Sequence, residues 1–203
     1  MPHDFRANAM SIITDYSIAN FAEEVSQQQH AMAGAVIAAA AAQAVALGQA
    51  CLQISRDDLD LRHEDVHKQI ERLAAIKEAL LGWCDRDANA IAEFVALREA
   101  GETLAGQRLL CDAPAQVSRL SIEVAQILQT FRPMVSERVQ DDMEMSISLL
   151  AGTAQAALLL LDSNLRIWDE ERPLLAEFEP VLDGLITEID ALAPVKRIRG
   201  SRP

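Results

Sequence analysis

Ala31 to Ile54 reads AMAGAVIAAAAAQAVALGQACLQI, inside a longer run from Val25 to Ser55 that contains no Asp, Glu, Lys or Arg. Alanine is the strongest helix former, so the segment predicts a helix from about Ala33 to Ile54. Its length would span a bilayer. Alanine contributes little to insertion, however, and Gln43, Gln49 and Gln53 interrupt the apolar surface. Neither Trp or Tyr nor a Lys/Arg cluster marks its ends. A helix apolar on all sides is otherwise buried in a helical core. Small side chains let neighbouring backbones approach closely, so the segment is expected as the buried central helix of a bundle, with no membrane role.

The rest of the composition points the same way. Of 203 residues, half are hydrophobic but only 4% aromatic; 34 are alanine, 8 glycine and 7 proline. That alphabet suits helices and not a sandwich or barrel, and the length suits one domain able to bury about 70% of the unfolded chain's surface. An all-α fold, a single multihelical bundle, is the expectation. With 31 acidic against 18 basic residues, net charge -13 and pI 4.7, the surface repels nucleic acid and anionic membranes. Lys196, Arg197, Arg199 and Arg202 read as a solvated basic tail over 194–203, after a helical domain over 1–193. Cys51, Cys84 and Cys111 are odd in number and far apart, which is no disulfide framework and suits a reducing cytoplasm. Met1 to Asp15 lacks the basic-then-apolar pattern of a secretory signal.

Along the chain, Ser17 caps a first helix to about Gln28, and the alanine-rich helix follows. A polar stretch leads into a long amphipathic helix ending near Ala100, with Val66, Ile70, Leu73, Leu80, Cys84, Ile91 and Phe94 on one stripe. Gly101 stops it. The segment from there to Pro114, containing Gly106, reads as a long ordered loop, with Asp112 and Pro114 starting a helix to about Phe131. Asp141 and Glu144 form a capping-box pattern ahead of a second apolar helix, Met143 to about Trp168. Pro173 opens a last amphipathic helix that ends before Pro194.

Three sets of residues could carry chemistry. His63-Glu64-Asp65-Val66-His67 fits the H-E-x-x-H zinc pattern. It sits in a heavily charged stretch with no evident third ligand, so it reads as a solvated helix start and no metal is expected. Asp87 lies on the apolar stripe of the long helix, three residues after Cys84 and four before Ile91. Burial of such a carboxylate raises its pKa towards the range useful in acid/base catalysis, unless it is only a structural partner of a neighbouring helix end. Asp142, in the first turn of an apolar helix, is the second candidate, although the helix dipole alone accounts for an acid there. Asp162 and Asn164 interrupt an apolar run and face either a cavity or another helix.

Taken together, these segments resemble the cyclodeaminase/cyclohydrolase family, which includes formimidoyltetrahydrofolate cyclodeaminases and methenyltetrahydrofolate cyclohydrolases. The resemblance spans about Ser17 to Leu192. The family's Pro-x-Pro-Gly-Gly-Gly-Ser turn falls on His30 to Val36, and its Asn-Leu-Thr on Gln53-Ile54-Ser55. Its Asp-x-Asp-Ala-x-Ala-Phe appears as Asp85-Arg86-Asp87-Ala88-Asn89-Ala90-Ile91. Its Pro-x-x-Val matches Pro114 to Val117, and its Ser-Asp helix with a later Asn-Leu matches Asp141-Asp142 through Asn164-Leu165. Of the glycine triplet only Gly34 remains, with Val36 in place of the serine. Arg56-Asp57-Asp58-Leu59-Asp60 replaces a lysine-rich run, and Leu160 replaces an asparagine.

The resemblance implies hydrolysis of a methenyl-tetrahydrofolate or deamination of a formimino-tetrahydrofolate. Asp87 and Asp142 would then be catalytic, with Gly34 and Asn164 at the substrate. It implies no metal or redox cofactor, a folate-like small molecule as ligand, and a homodimer. The departures from the pattern favour the rival reading, a family member with an altered site serving as a non-catalytic helical dimer or binding protein.

Overall fold

The computed structural model describes residues 12–28, 32–56, 63–167 and 172–194. The basic tail, His30 and the acidic run from Asp57 lie outside the described residues, as does the Trp168 end expected for the second apolar helix. Six α-helices account for nearly all of what is described: α1 Ile18–Gln27, α2 Ala33–Ser55, α3 His63–Glu99, α4 Thr103–Phe131, α5 Gln140–Ile167 and α6 Arg172–Ala191. Among the described residues there is no strand. Ser17 caps α1 as its side-chain oxygen accepts the Asn20 N–H at 3.2 Å.

Helices α2 to α5 run alternately up and down around a common core, each packed on its neighbours in sequence, with α5 closing back onto α2. Tertiary bonds fix the directions. Gln49 of α2 donates to Ile70 O of α3 at 3.3 Å, and Arg72 of α3 forms a two-pronged pair with Glu123 of α4 at 2.6 and 2.8 Å. Ser118 of α4 donates to Ala154 O of α5, and Ser146 of α5 donates to Ala44 O of α2. α6 then covers α4 and α5.

The turn into α4 corrects the expected loop between Gly101 and Pro114. Gly101 adopts φ +82°, the N–H of Glu102 reaches Leu97 O at 2.8 Å, and that of Gly101 reaches Arg98 O at 3.1 Å. This is a Schellman ending, and it reverses the chain at once, so that α4 begins at Thr103. Gly106 is therefore helical. A Cβ there would press on Phe94 and Leu97 of α3, so this glycine serves close packing and not a turn. Pro114 lies inside α4 and does not start it. The capping box is likewise absent: Asp141 is within the first turn of α5, which continues a 3-10 turn over Glu137–Val139, and Glu144 pairs with Arg132 at 3.0 Å.

Small residues set the spacing of the helices. At Gly48, a Cβ would collide with Leu128 of α4 and Ser146 of α5, both fully buried. Both apolar helices nonetheless keep one open face. α2 and the stretch 137–167 are long and apolar enough to cross a membrane, and their apolar windows are 56% and 39% buried in the protein itself.

Gly48→Val is expected to destabilise the fold by about 1–3 kcal/mol through overpacking. Gly184→Ala on α6, where an added Cβ meets nothing, is expected to stabilise it by up to about 1 kcal/mol. Urea denaturation of the two variants checks both signs.

Candidate functional site

Met32 stands at the N-cap of α2 and provides no capping side chain. The first turn of an α-helix carries N–H groups without helical acceptors, and one left buried and unpaired costs about 1–3 kcal/mol. Asp87, reaching across from α3, supplies the acceptor: Ala35 N–H donates to its Oδ2 at 2.7 Å. The contact requires Gly34, because a Cβ at that position would overlap the Asp87 carboxylate. Burial pushes the Asp87 carboxyl above the ordinary carboxylate range, and the Ala35 hydrogen bond opposes that shift. Two residues earlier, Asp85 accepts both the Thr14 N–H (3.0 Å) and the Thr14 hydroxyl (2.8 Å). One turn of α3 thus holds the chain just before α1 and again where α2 begins.

Beside Asp87 lies a narrow cleft lined by Gly34, Ile37, Trp83, Asp87, Pro114 and Leu160 among others. Ordinary ligand pockets measure roughly 300–1,000 Å³, whereas this cleft as it stands has essentially no room for even a water-sized molecule. The Arg86 guanidinium stacks on Trp83, 4.1 Å from the ring centre, and places a positive charge beside the cleft. The sequence reading did not single out Trp83 or Arg86; their three-residue spacing on one helix was the available signal. Gln107 is also new. It is buried on the same face of α4 as Pro114, two turns away, and its Oε1 has no hydrogen-bond partner among the described residues.

Asn164 has a definite task. In an α-helix the Leu110 carbonyl would accept from the N–H of residue 114, but Pro114 has none. Asn164 of α5 donates its Nδ2 to Leu110 O at 2.7 Å and fills the gap. Two motifs far apart in sequence therefore form one hydrogen-bonded unit behind the cleft wall.

Asp142 stands elsewhere. Burial pushes the Cys51 thiol up to about 11, with the nearby Asp142 charge adding to the effect, which places this carboxylate beside the C-terminal half of α2. From Ala35 to Cys51, α2 rises about 24 Å. The structure thus brings Gly34 and Asp87 into contact, sets Asn164 behind the same cleft, and leaves Asp142 near the other end of the bundle. Asp162 pairs with Arg166 at 3.1 Å. Of the histidine motif, His67 is exposed and lies 3.3 Å from Glu71. Among the described residues, no group of three or more His, Cys, Asp or Glu side chains could hold a metal ion.

Two experiments test these assignments. A carboxyl that titrates higher folded than unfolded holds its proton, over the window between the two values, when the unfolded chain has lost it. Its contribution is full below the unfolded value, about pH 4, and is lost as pH rises through the folded value. The stability advantage of the wild type over Asp87→Asn is therefore expected to shrink as pH rises from 4 towards neutrality in urea titrations. In the second, Asn164→Leu is expected to cost about 1–3 kcal/mol, and markedly less in a Pro114→Ala background, where residue 114 regains its N–H. Simple additivity in that cycle contradicts the pairing.

Comparison with known proteins adds three findings. A family model described as formiminotransferase-cyclodeaminase matches residues 17–174. The crystal structure of formiminotetrahydrofolate cyclodeaminase from Thermotoga maritima is similar with a TM-score of 0.80 at 16% identity, over 89% of this chain and 93% of that one; at that identity the likeness is one of fold. Comparison with curated protein sequences gives no match.

Proposed function

This chain belongs to the formiminotransferase-cyclodeaminase family, and from that premise we propose that it opens or closes a C–N bond at the one-carbon bridge of a reduced folate. The observation that carries the reading is Asp87, a half-buried carboxyl whose pKa burial raises, at a cleft walled by Trp83. In hydrolysis of a methenyl group, water adds to the bridging carbon and one C–N bond then breaks. In deamination of a formimino group, the folate's own nitrogen adds to that carbon and ammonia leaves. Both need one proton removed from the nucleophile and one delivered to the departing nitrogen. A single carboxyl with a raised pKa can perform the two transfers in turn, and neither requires a metal. Trp83 offers a face for a flat heterocycle, and Arg86 suits the negative charge of a folate tail. Three buried free thiols suit a reducing compartment such as the cytoplasm.

A second reading is favoured by the size of the cleft and by the commitment of Asp87 to Ala35. In it, the chain keeps the scaffold and acts as a non-catalytic binding protein.

Calorimetric titration with 5,10-methenyl-tetrahydrofolate, followed by turnover assays, separates the two. The enzyme reading expects saturable binding below millimolar ligand and a loss of about 10²–10⁴-fold in turnover for Asp87→Asn. Asp142→Asn, remote from the cleft, is expected to stay within a few-fold of wild type. No binding at millimolar ligand removes the folate reading and leaves the second.

A further inference from the structure

α4 borders a second recess on a different face from the cleft. The cleft meets α4 at Ala113, Pro114 and Val117. Gln116, Arg119, Leu120, Glu123 and Gln126 recur at helical spacing along another side of it. Arg72 of α3 and Glu188 of α6 complete the walls of a groove there. It has about 400 Å³ open to water-sized molecules, within the roughly 300–1,000 Å³ of ordinary ligand sites. Its α6 wall lies beyond residue 174, where the family match ends.

The charges in this groove are not all matched. On α4 the nearest acid to Arg119 is Glu123, one turn further on. Both Glu123 oxygens are taken by the Arg72 fork, at 2.6 and 2.8 Å. The Arg119 side chain is therefore left without an ion pair or hydrogen bond among the described residues, and so is Glu188 on the α6 wall. Elsewhere Arg108 pairs with Glu177, Arg132 with Glu144 and Arg166 with Asp162. One positive and one negative side chain thus line the same space without meeting each other. The side-chain amides of Gln116 and Gln126, in the same groove, are likewise unbonded among the described residues.

We infer that this groove binds a free amino acid with an uncharged polar side chain. Arg119 takes the carboxylate, which a guanidinium grips with two parallel N–H donors. Glu188 takes the ammonium. Gln116 and Gln126 offer both donors and acceptors to the ligand's polar side chain. Charge balance sets the selectivity. Arg72 and Glu123 neutralise each other, and the zwitterion uses up Arg119 and Glu188, so a further charge on the ligand finds no free partner in the groove. The site is separate from the Asp87 cleft and does not depend on the folate reading.

The test is titration of the full chain with L-glutamine, followed residue by residue in amide NMR spectra. Saturable shifts are expected over 116–126 and around Glu188, with a Kd on the order of millimolar, as suits exposed charge pairs. Arg119→Gln and Glu188→Gln should each weaken binding by at least about five-fold. Helical circular dichroism should be unchanged in both, because the two side chains are exposed. N-acetyl-L-glutamine lacks the ammonium and L-glutaminamide lacks the carboxylate, so each should lose affinity to a similar degree. L-glutamate and L-lysine should also bind less tightly than L-glutamine. No saturation by about 20 millimolar L-glutamine, an order of magnitude above the expected Kd, overturns the inference. So do shifts centred on the Trp83 cleft, undiminished binding by either variant, or undiminished binding of any of the four analogues. Tighter binding of the dipeptide glycyl-L-glutamine overturns it as well, since the ligand would then be a peptide.

Discussion

The first turn of α2 opens inside the bundle without a cap of its own, and the Asp87 carboxylate is what satisfies it. Much of the site follows from that one contact. It brings α3 against the backbone of α2, which excludes any side chain at Gly34. It keeps a carboxyl half-buried beside Trp83, where desolvation raises its pKa. Asp85, one turn-face away, fastens Thr14, so both ends of the α1 excursion are tied to a single stretch of α3. A group in this position serves the fold and is available to chemistry for the same reason: it is a titratable oxygen held partly out of water.

Elsewhere, helix spacing is set by what is missing from side chains. Gly48, Gly106 and the alanines of α2 let backbones approach, and hydroxyls bridge the narrow gaps, as with Ser146 to Ala44 O and Ser118 to Ala154 O. Such bonds satisfy polar groups that burial would otherwise penalise. The Pro114–Asn164 unit follows the same logic, since a donor removed from one helix is replaced from another. The wall of the cleft is therefore shaped by packing requirements as much as by any ligand.

Much of this was legible in the chain itself. The capped start of α1, the span of α2, the end of α3 at Gly101 and the end of α4 near Phe131 all rest on local signals. Asp87 stood out as a carboxylate on an apolar stripe. Gly106 and Pro114 misled because glycine and proline mark loops when read locally, whereas here one admits a neighbouring helix and the other is compensated by Asn164. Asp141 and Glu144 matched a capping box by spacing alone, while Arg132, close in space, claimed Glu144. Trp83 and Arg86 gave a local signal too weak to read until the cleft beside them was visible.

Helix content, chain order and the presence of an uncharged, small-residue core were determined by the sequence alone, because propensity and periodicity act over a few neighbouring residues. Which carboxylate faces the cleft, how far Asp142 lies from it, and which side of α2 and α5 stays open were decided only by the tertiary structure. Those outcomes depend on which residues meet across helices dozens of positions apart. Spacing along one helix places a side chain on a face, but the neighbouring helices determine whether that face looks onto core, cleft or solvent.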